Sequence, residues 1–139
     1  MPILEGKSIA VDTMIMIYLL EKRQPHALRI AEILPHAERI IISTLVIGEV
    51  LTGMYRKNNP DEIESFFSFL STQQHLAVRP FDQETSMIFG KLLSVNLSLR
   101  PPDCIHLATA LHAKANIFLT NDKRIKTVKG LEIVHLEDL

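Results

Sequence analysis

The sequence predicts an α/β fold in which a central, mostly parallel sheet is sandwiched by helices. Short runs of aliphatic and β-branched residues alternate along the chain with stretches whose apolar residues recur every three to four positions. Strands alternating with helices make βαβ units, and crossover helices then cover both faces of a parallel sheet. The chain also has 139 residues, 47% hydrophobic and 22% charged, without internal repeat or linker-like tract. That suits one domain over residues 1–139, burying about two-thirds of its unfolded surface.

Taken in order, Ile9, Ala10 and Val11 read as a first buried strand, and residues 13–20 and 27–34 as helices. Residues 40–42, led in by Arg39, give a second strand, followed by a helix over 43–56. Asn59 and Pro60 read as the cap and first residue of a helix whose stripe is Ile63, Phe66, Phe67 and Leu70. Residues 76–78 are a weaker strand, and Asp82 precedes a helical pattern of Ile88, Leu92 and Val95. Two prolines open a helix over 102–113, and residues 117–119 and 133–134 complete the strands. About five strands result.

Composition removes several function classes. Fifteen Lys and Arg against sixteen Asp and Glu leave a formal charge of −1, so nucleic acid cannot be gripped by bulk charge. A single cysteine, Cys104, excludes a disulfide framework and a cysteine-based zinc site, and suits a reducing cytoplasm. No apolar run approaches the roughly 20 residues of a membrane span, and residues 1–7 lack the pattern of an export signal. With only five glycines there is no G-x-G-x-x-G after the first strand and no phosphate-binding P-loop. A dehalogenase-like phosphatase wants a second Asp where Met14 stands, and a receiver domain wants paired acids that are absent. His106 follows Asp103 by three positions, a D-x-x-H spacing open to a metal pair, but without H-E-x-x-H or a third imidazole nearby it reads rather as a packed or capping histidine.

Four acids remain. Asp12 ends the first strand, at the carboxyl edge where open parallel sheets place their sites. It is equally suited to N-cap the helix that follows. Asp122 ends a later strand at the same edge, and Asn121-Asp122 also has the look of an Asx turn. Asp103 is pinned by Pro101 and Pro102 to a helix N-terminus, where the helix dipole favours an acid by about 0.3–1 kcal/mol. The helix and strand after Asp103 bring the chain back to that edge at Asp122. Glu49 lies inside Ser43-Thr44-Leu45-Val46-Ile47-Gly48-Glu49-Val50-Leu51, a helix apolar on nearly every side, where an unpaired acid would be costly. It stands about 9 Å down that helix at 1.5 Å per residue and leans back toward the start. Its alternative is a buried ion pair, for which Arg56 and Lys57 are the nearest bases ahead. Four acids gathered at one edge repel one another unless cations lie between them. All-oxygen ligands suit Mg²⁺ or Mn²⁺, and one or two such ions could activate water against a phosphodiester.

The segments Ile9-Ala10-Val11-Asp12-Thr13, Ile42 to Leu51, Pro102-Asp103-Cys104-Ile105-His106-Leu107-Ala108-Thr109-Ala110 and Leu119-Thr120-Asn121-Asp122 together resemble PIN-domain nucleases. The likeness is strongest to the VapC-type toxins of prokaryotic toxin–antitoxin pairs and covers nearly the whole chain. It implies a PIN-like three-layer α/β/α fold and a metal-dependent endoribonuclease leaving 5′-phosphate and 3′-hydroxyl ends. It further implies that Asp12, Glu49, Asp103 and Asp122 hold Mg²⁺ or Mn²⁺, with Thr44 and Asn121 in support. A homodimer, and a small antitoxin whose tail enters the site, belong to the same expectation. Met14 departs from the Asn or Ser usual there, and Cys104 replaces a usual Ala. Arg100, Lys123 and Arg124 flank the acids and are candidates for RNA phosphates; Lys22 and Arg23 are weaker ones. The rival readings are a catalytically silent PIN-fold adaptor for RNA or protein, and a metal-dependent phosphatase or DNA nuclease.

Overall fold

The computed structural model describes residues 3–139. Met1 and Pro2, part of the stretch read for an export signal, lie outside the described residues. The elements run β1 (Ser8–Val11), α1 (Thr13–Leu20), α2 (His26–Ile33), β2 (Arg39–Ser43), α3 (Thr44–Lys57), α4 (Pro60–Thr72), β3 (Leu76–Arg79), α5 (Gln83–Val95), α6 (Pro101–His112), β4 (Ile117–Thr120) and β5 (Glu132–His135). The five strands form one sheet in the order β3-β2-β1-β4-β5, and every pair is parallel. The expected α/β/α architecture is therefore present, with the sheet parallel throughout.

Strand alternation builds the layers, because successive side chains point to opposite faces. Ile9, Val11, Ile42, Ile117 and Leu119 join one core with residues of α1 to α4, including Ile15, Ile30, Val46 and Phe66. Ala10, Ile41 and Phe118 join the other with Cys104, Leu107 and Ala110 of α6 and with Phe89 and Leu92 of α5. Cys104 is fully buried and its thiol is pushed up by that burial, which suits a packing role.

The helix starts follow cap chemistry. Asn59 accepts from the Glu62 amide at 3.2 Å, Asp82 from Thr85 at 2.9 Å, and Ser43 from Val46 at 3.3 Å. Observed bounds differ from the expected ones by a residue at most ends. The second helix ends at Ile33 because Leu34, Pro35 and His36 tighten into a 3₁₀ turn. Among the described residues, no helix is long and apolar enough to cross a membrane.

Candidate active site

In a parallel sheet of this order the chain leaves β1 toward one edge and returns through β4 on the other side. The crevice between their carboxyl ends is where such sheets bind ligands. Here β1 ends at Val11 and β4 at Thr120, and Asp12 N donates to Leu119 O at 3.0 Å, extending the pairing to the rim. A cleft of about 630 Å³ opens there, and Asp12, Glu49, Asp103 and Asp122 all line it. Four acids from four separate segments thus share one concavity.

Each is set by its own element. Asp12 caps the helix that follows it, as read, and lies at the cleft. One oxygen caps α1, accepting from Thr13 N at 2.8 Å, and the other accepts from Thr120 Oγ1 at 2.7 Å across the β1–β4 seam. Burial pushes its carboxyl above the ordinary range, and the neighbouring Asp103 charge adds to the rise. Asp103 is buried in the first turn of α6, where its Oδ2 accepts from Arg100 N at 3.0 Å. Asp122 turns back on its own loop: Arg124 N donates to Oδ1 at 3.0 Å and the guanidinium grips both oxygens. That guanidinium holds the Asp122 carboxyl below the usual range.

Glu49 is not the buried acid the helix pattern suggested. Helix α3 buries only the stripe Val46, Val50 and Met54, and the Glu49 side chain remains 37% exposed, facing the cleft. Its partner is neither Arg56 nor Lys57; Lys57 instead lies 3.5 Å from Glu21 and 3.6 Å from Glu62. Glu49 Oε1 receives Thr13 Oγ1 at 2.6 Å and lies 2.9 Å from His106 Nε2. The bond to His106 is the main reason its carboxyl sits below the ordinary value. His106 is the residue that sequence reasoning left as bland packing. The D-x-x-H spacing was its only signal, since Thr13, Ser43 and Glu49 reach it from distant segments.

The flanking residues divide. Asn121 lines the cleft, and its buried Oδ1 has no hydrogen-bond partner among the described residues. Thr44 is exposed at the start of α3 and is not part of the cleft lining, whereas the adjacent Ser43 is buried and bonded to His106. Arg100 and Lys123 stand at the cleft, Lys123 paired with Glu137. Arg124 folds inward, 3.6 Å from Asp103 as well as on Asp122. Arg23 pairs with Glu21 and is not part of the cleft lining. Met14, Ile17 and Tyr18 give the cleft an apolar wall.

These donors can be tested against a divalent cation. The carboxylates and the orphan Asn121 oxygen are hard oxygen donors, and the Asp103 charge is near enough to disfavour that of Asp12. In kind they fit Mg²⁺ or Mn²⁺. Among the described residues, however, no three Asp, Glu, His or Cys side chains stand together as a ready-made cage. Protein groups meet the acids instead: Arg124 spans Asp103 and Asp122, while hydroxyls and an imidazole meet Asp12 and Glu49. The repulsion expected from the sequence is thus eased in part by the chain's own donors.

A family model described as PIN domain matches residues 9–131. No curated protein matches the sequence. Among solved structures, VapBC2 from Rickettsia felis bound to a DNA fragment from its promoter is similar at TM-score 0.74 and 20% identity, covering 92% of this chain and 98% of that one. DNA-bound VapBC from Salmonella typhimurium is similar at TM-score 0.74 and 18% identity, covering 94% and 98%. FitAcB from Neisseria gonorrhoeae is similar at TM-score 0.71 and 17% identity, covering 94% and 99%. At these identities the likeness is one of fold.

Proposed function

Since the chain belongs to the PIN-domain family, we propose that it is a metal-dependent endoribonuclease and the toxin of a type II toxin–antitoxin pair, working in the cytoplasm. One observation carries the reading: Asp12, Glu49, Asp103 and Asp122, from four distant segments, line a single cleft at the β1–β4 edge. The VapBC and FitAcB structural neighbours support the toxin role and a small antitoxin partner, and a homodimer is part of the proposal.

In this reading Asp12, Glu49, Asp103 and Asp122 hold one or two Mg²⁺ or Mn²⁺ ions, with Asn121 lining the same cleft in support. When bound, such a cation supplies charge at the phosphodiester oxygens and makes water a stronger acid. The chain's own residues do the rest. Asp12 is held from both sides by Thr13 N and Thr120 Oγ1, so its carboxylate stays at the rim of the sheet. Arg100 and Lys123 receive RNA phosphates beside the cleft, and Arg124, bonded to Asp122, is the third cation of the proposal. Met14, Ile17 and Tyr18 form the apolar side of the cleft.

The test is cleavage of a labelled RNA by the purified chain with millimolar magnesium, beside single-stranded DNA and a small phosphomonoester. RNA is expected to be cut, and Asp12→Asn and Glu49→Gln are expected to abolish cutting with the fold intact. Retained cleavage in either variant removes that carboxylate from the mechanism. Cleavage of DNA or phosphomonoester alone overturns the substrate. A wild-type chain that neither cuts RNA nor gains thermal stability from millimolar metal is an adaptor.

A further inference from the structure

His106 lies in α6 with its side chain only 4% exposed, yet both ring nitrogens are engaged by other elements. Nδ1 lies 2.9 Å from Ser43 Oγ at the start of α3. Nε2 lies 2.9 Å from Glu49 Oε1 and 3.2 Å from Thr13 Oγ1 at the start of α1. Ser43 Oγ already accepts the Val46 amide, so its hydroxyl proton is free to go to Nδ1. Nε2 then carries the ring proton and donates it to Glu49. Thr13 Oγ1 donates to the same Glu49 oxygen at 2.6 Å. Two donors therefore converge on Oε1, while Oε2 has no hydrogen bond among the described residues and belongs to a side chain lining the cleft.

A glutamate on a half-exposed helix face has three torsions to populate. Clamping one oxygen from two sides removes that freedom and presents the other. We infer that His106 is a positioning residue: through its bonds to Ser43 and Glu49 it fixes the Glu49 carboxylate toward the cleft, ready for a divalent cation. This rests on the metal-site reading above, and it assigns His106 no contact with substrate or metal.

The experiment measures Mn²⁺ binding to the full chain from the spin-resonance signal of free Mn²⁺, without RNA. His106→Gln places an amide nitrogen where Nε2 stands and can still donate to Glu49. His106→Asn places its amide where Nδ1 stands and cannot reach. His106→Leu removes both bonds. Leu and Asn are expected to weaken Mn²⁺ binding by about 10-fold or more, the usual effect of losing an outer-shell partner, and Gln to recover most of the loss. A histidine that merely fills space would not favour Gln over Asn. If His106→Leu fails to fold, the comparison of Gln with Asn decides, with circular dichroism confirming that both are folded. Gln binding no better than Asn, or all variants binding like wild type, overturns the inference and leaves the metal site standing. A wild-type chain that binds no Mn²⁺ overturns both.

Discussion

Replacing Ser43 by alanine removes one oxygen that holds two elements at once. Ser43 is 2% exposed, caps α3 through the Val46 amide at 3.3 Å, and stands 2.9 Å from His106 Nδ1. Loss of a serine N-cap costs about 1 kcal/mol. A buried ring nitrogen left unpaired costs about 1–3 kcal/mol more, so the sum is about 3 kcal/mol. With a melting entropy of about 2.1 cal/mol/K per residue, a chain this long loses about 10 °C in Tm for that amount. The assay is thermal and urea unfolding of Ser43→Ala, alone and combined with His106→Leu. Without the imidazole only the cap is left to lose, so Ser43→Ala is expected to cost about 1 kcal/mol in that background. The cycle should therefore show a coupling of about 2 kcal/mol, the unpaired-nitrogen share of the loss. Additivity within about 0.5 kcal/mol would mean that the hydroxyl and the ring do not depend on each other. The polar cluster would then be an incidental contact.

Three further outcomes follow from other parts of the molecule. Phe118→Ala, in a strand residue with no exposed surface between the sheet and α6, is expected to lower stability by about 3–5 kcal/mol; chemical denaturation that shows under about 1 kcal/mol would contradict the placement of that core. Asp82 is held below the usual carboxylate range chiefly by the Thr85 amide and then by its hydroxyl. Its contribution is therefore complete above the unfolded-state value near 3.9 and disappears as pH falls through the lower folded-state value. Accordingly, Asp82→Ala should melt earlier than wild type at pH 7 and the gap should close in acid; a gap that widens in acid is the wrong sign. Arg100, with a side chain 66% exposed beside the cleft, should contribute to RNA through phosphate charge. In a Glu49→Gln background, Arg100→Ala should weaken RNA binding alike across sequences and reduce the salt slope by roughly one, measured by anisotropy; an unchanged slope removes Arg100 from the interface.

Much of this arrangement was legible without coordinates because it is local. The runs Ile9-Ala10-Val11 and Ile117-Phe118-Leu119 are strands whose alternate residues enter opposite cores. Asn59 and Pro60 open α4 where cap chemistry puts them, and Asp82 opens α5. The four acids were identified from their places at strand ends and helix starts, and all four line the cleft. The exposure of Glu49 was misread because an apolar stretch does not say which of its faces finds a core. Ile47 and Leu51 are only partly buried, and the stripe that packs runs through Val46, Val50 and Met54.

By itself the sequence determined the α/β alternation, the caps and the set of carboxylates, all of which depend on neighbours within a turn or a strand. Tertiary structure alone decided how Glu49 and the second oxygen of Asp12 are held, whereas Asp103 and Asp122 find donors in their own turns. His106 meets Thr13 across 93 positions, Ser43 across 63 and Glu49 across 57, and Asp12 meets Thr120 across 108. Such bonds exist only after parallel crossovers have brought β1, β4, α3 and α6 to one edge. Hydrogen bonds act over about 3 Å, and periodicity along a chain carries no record of which distant groups will come that near.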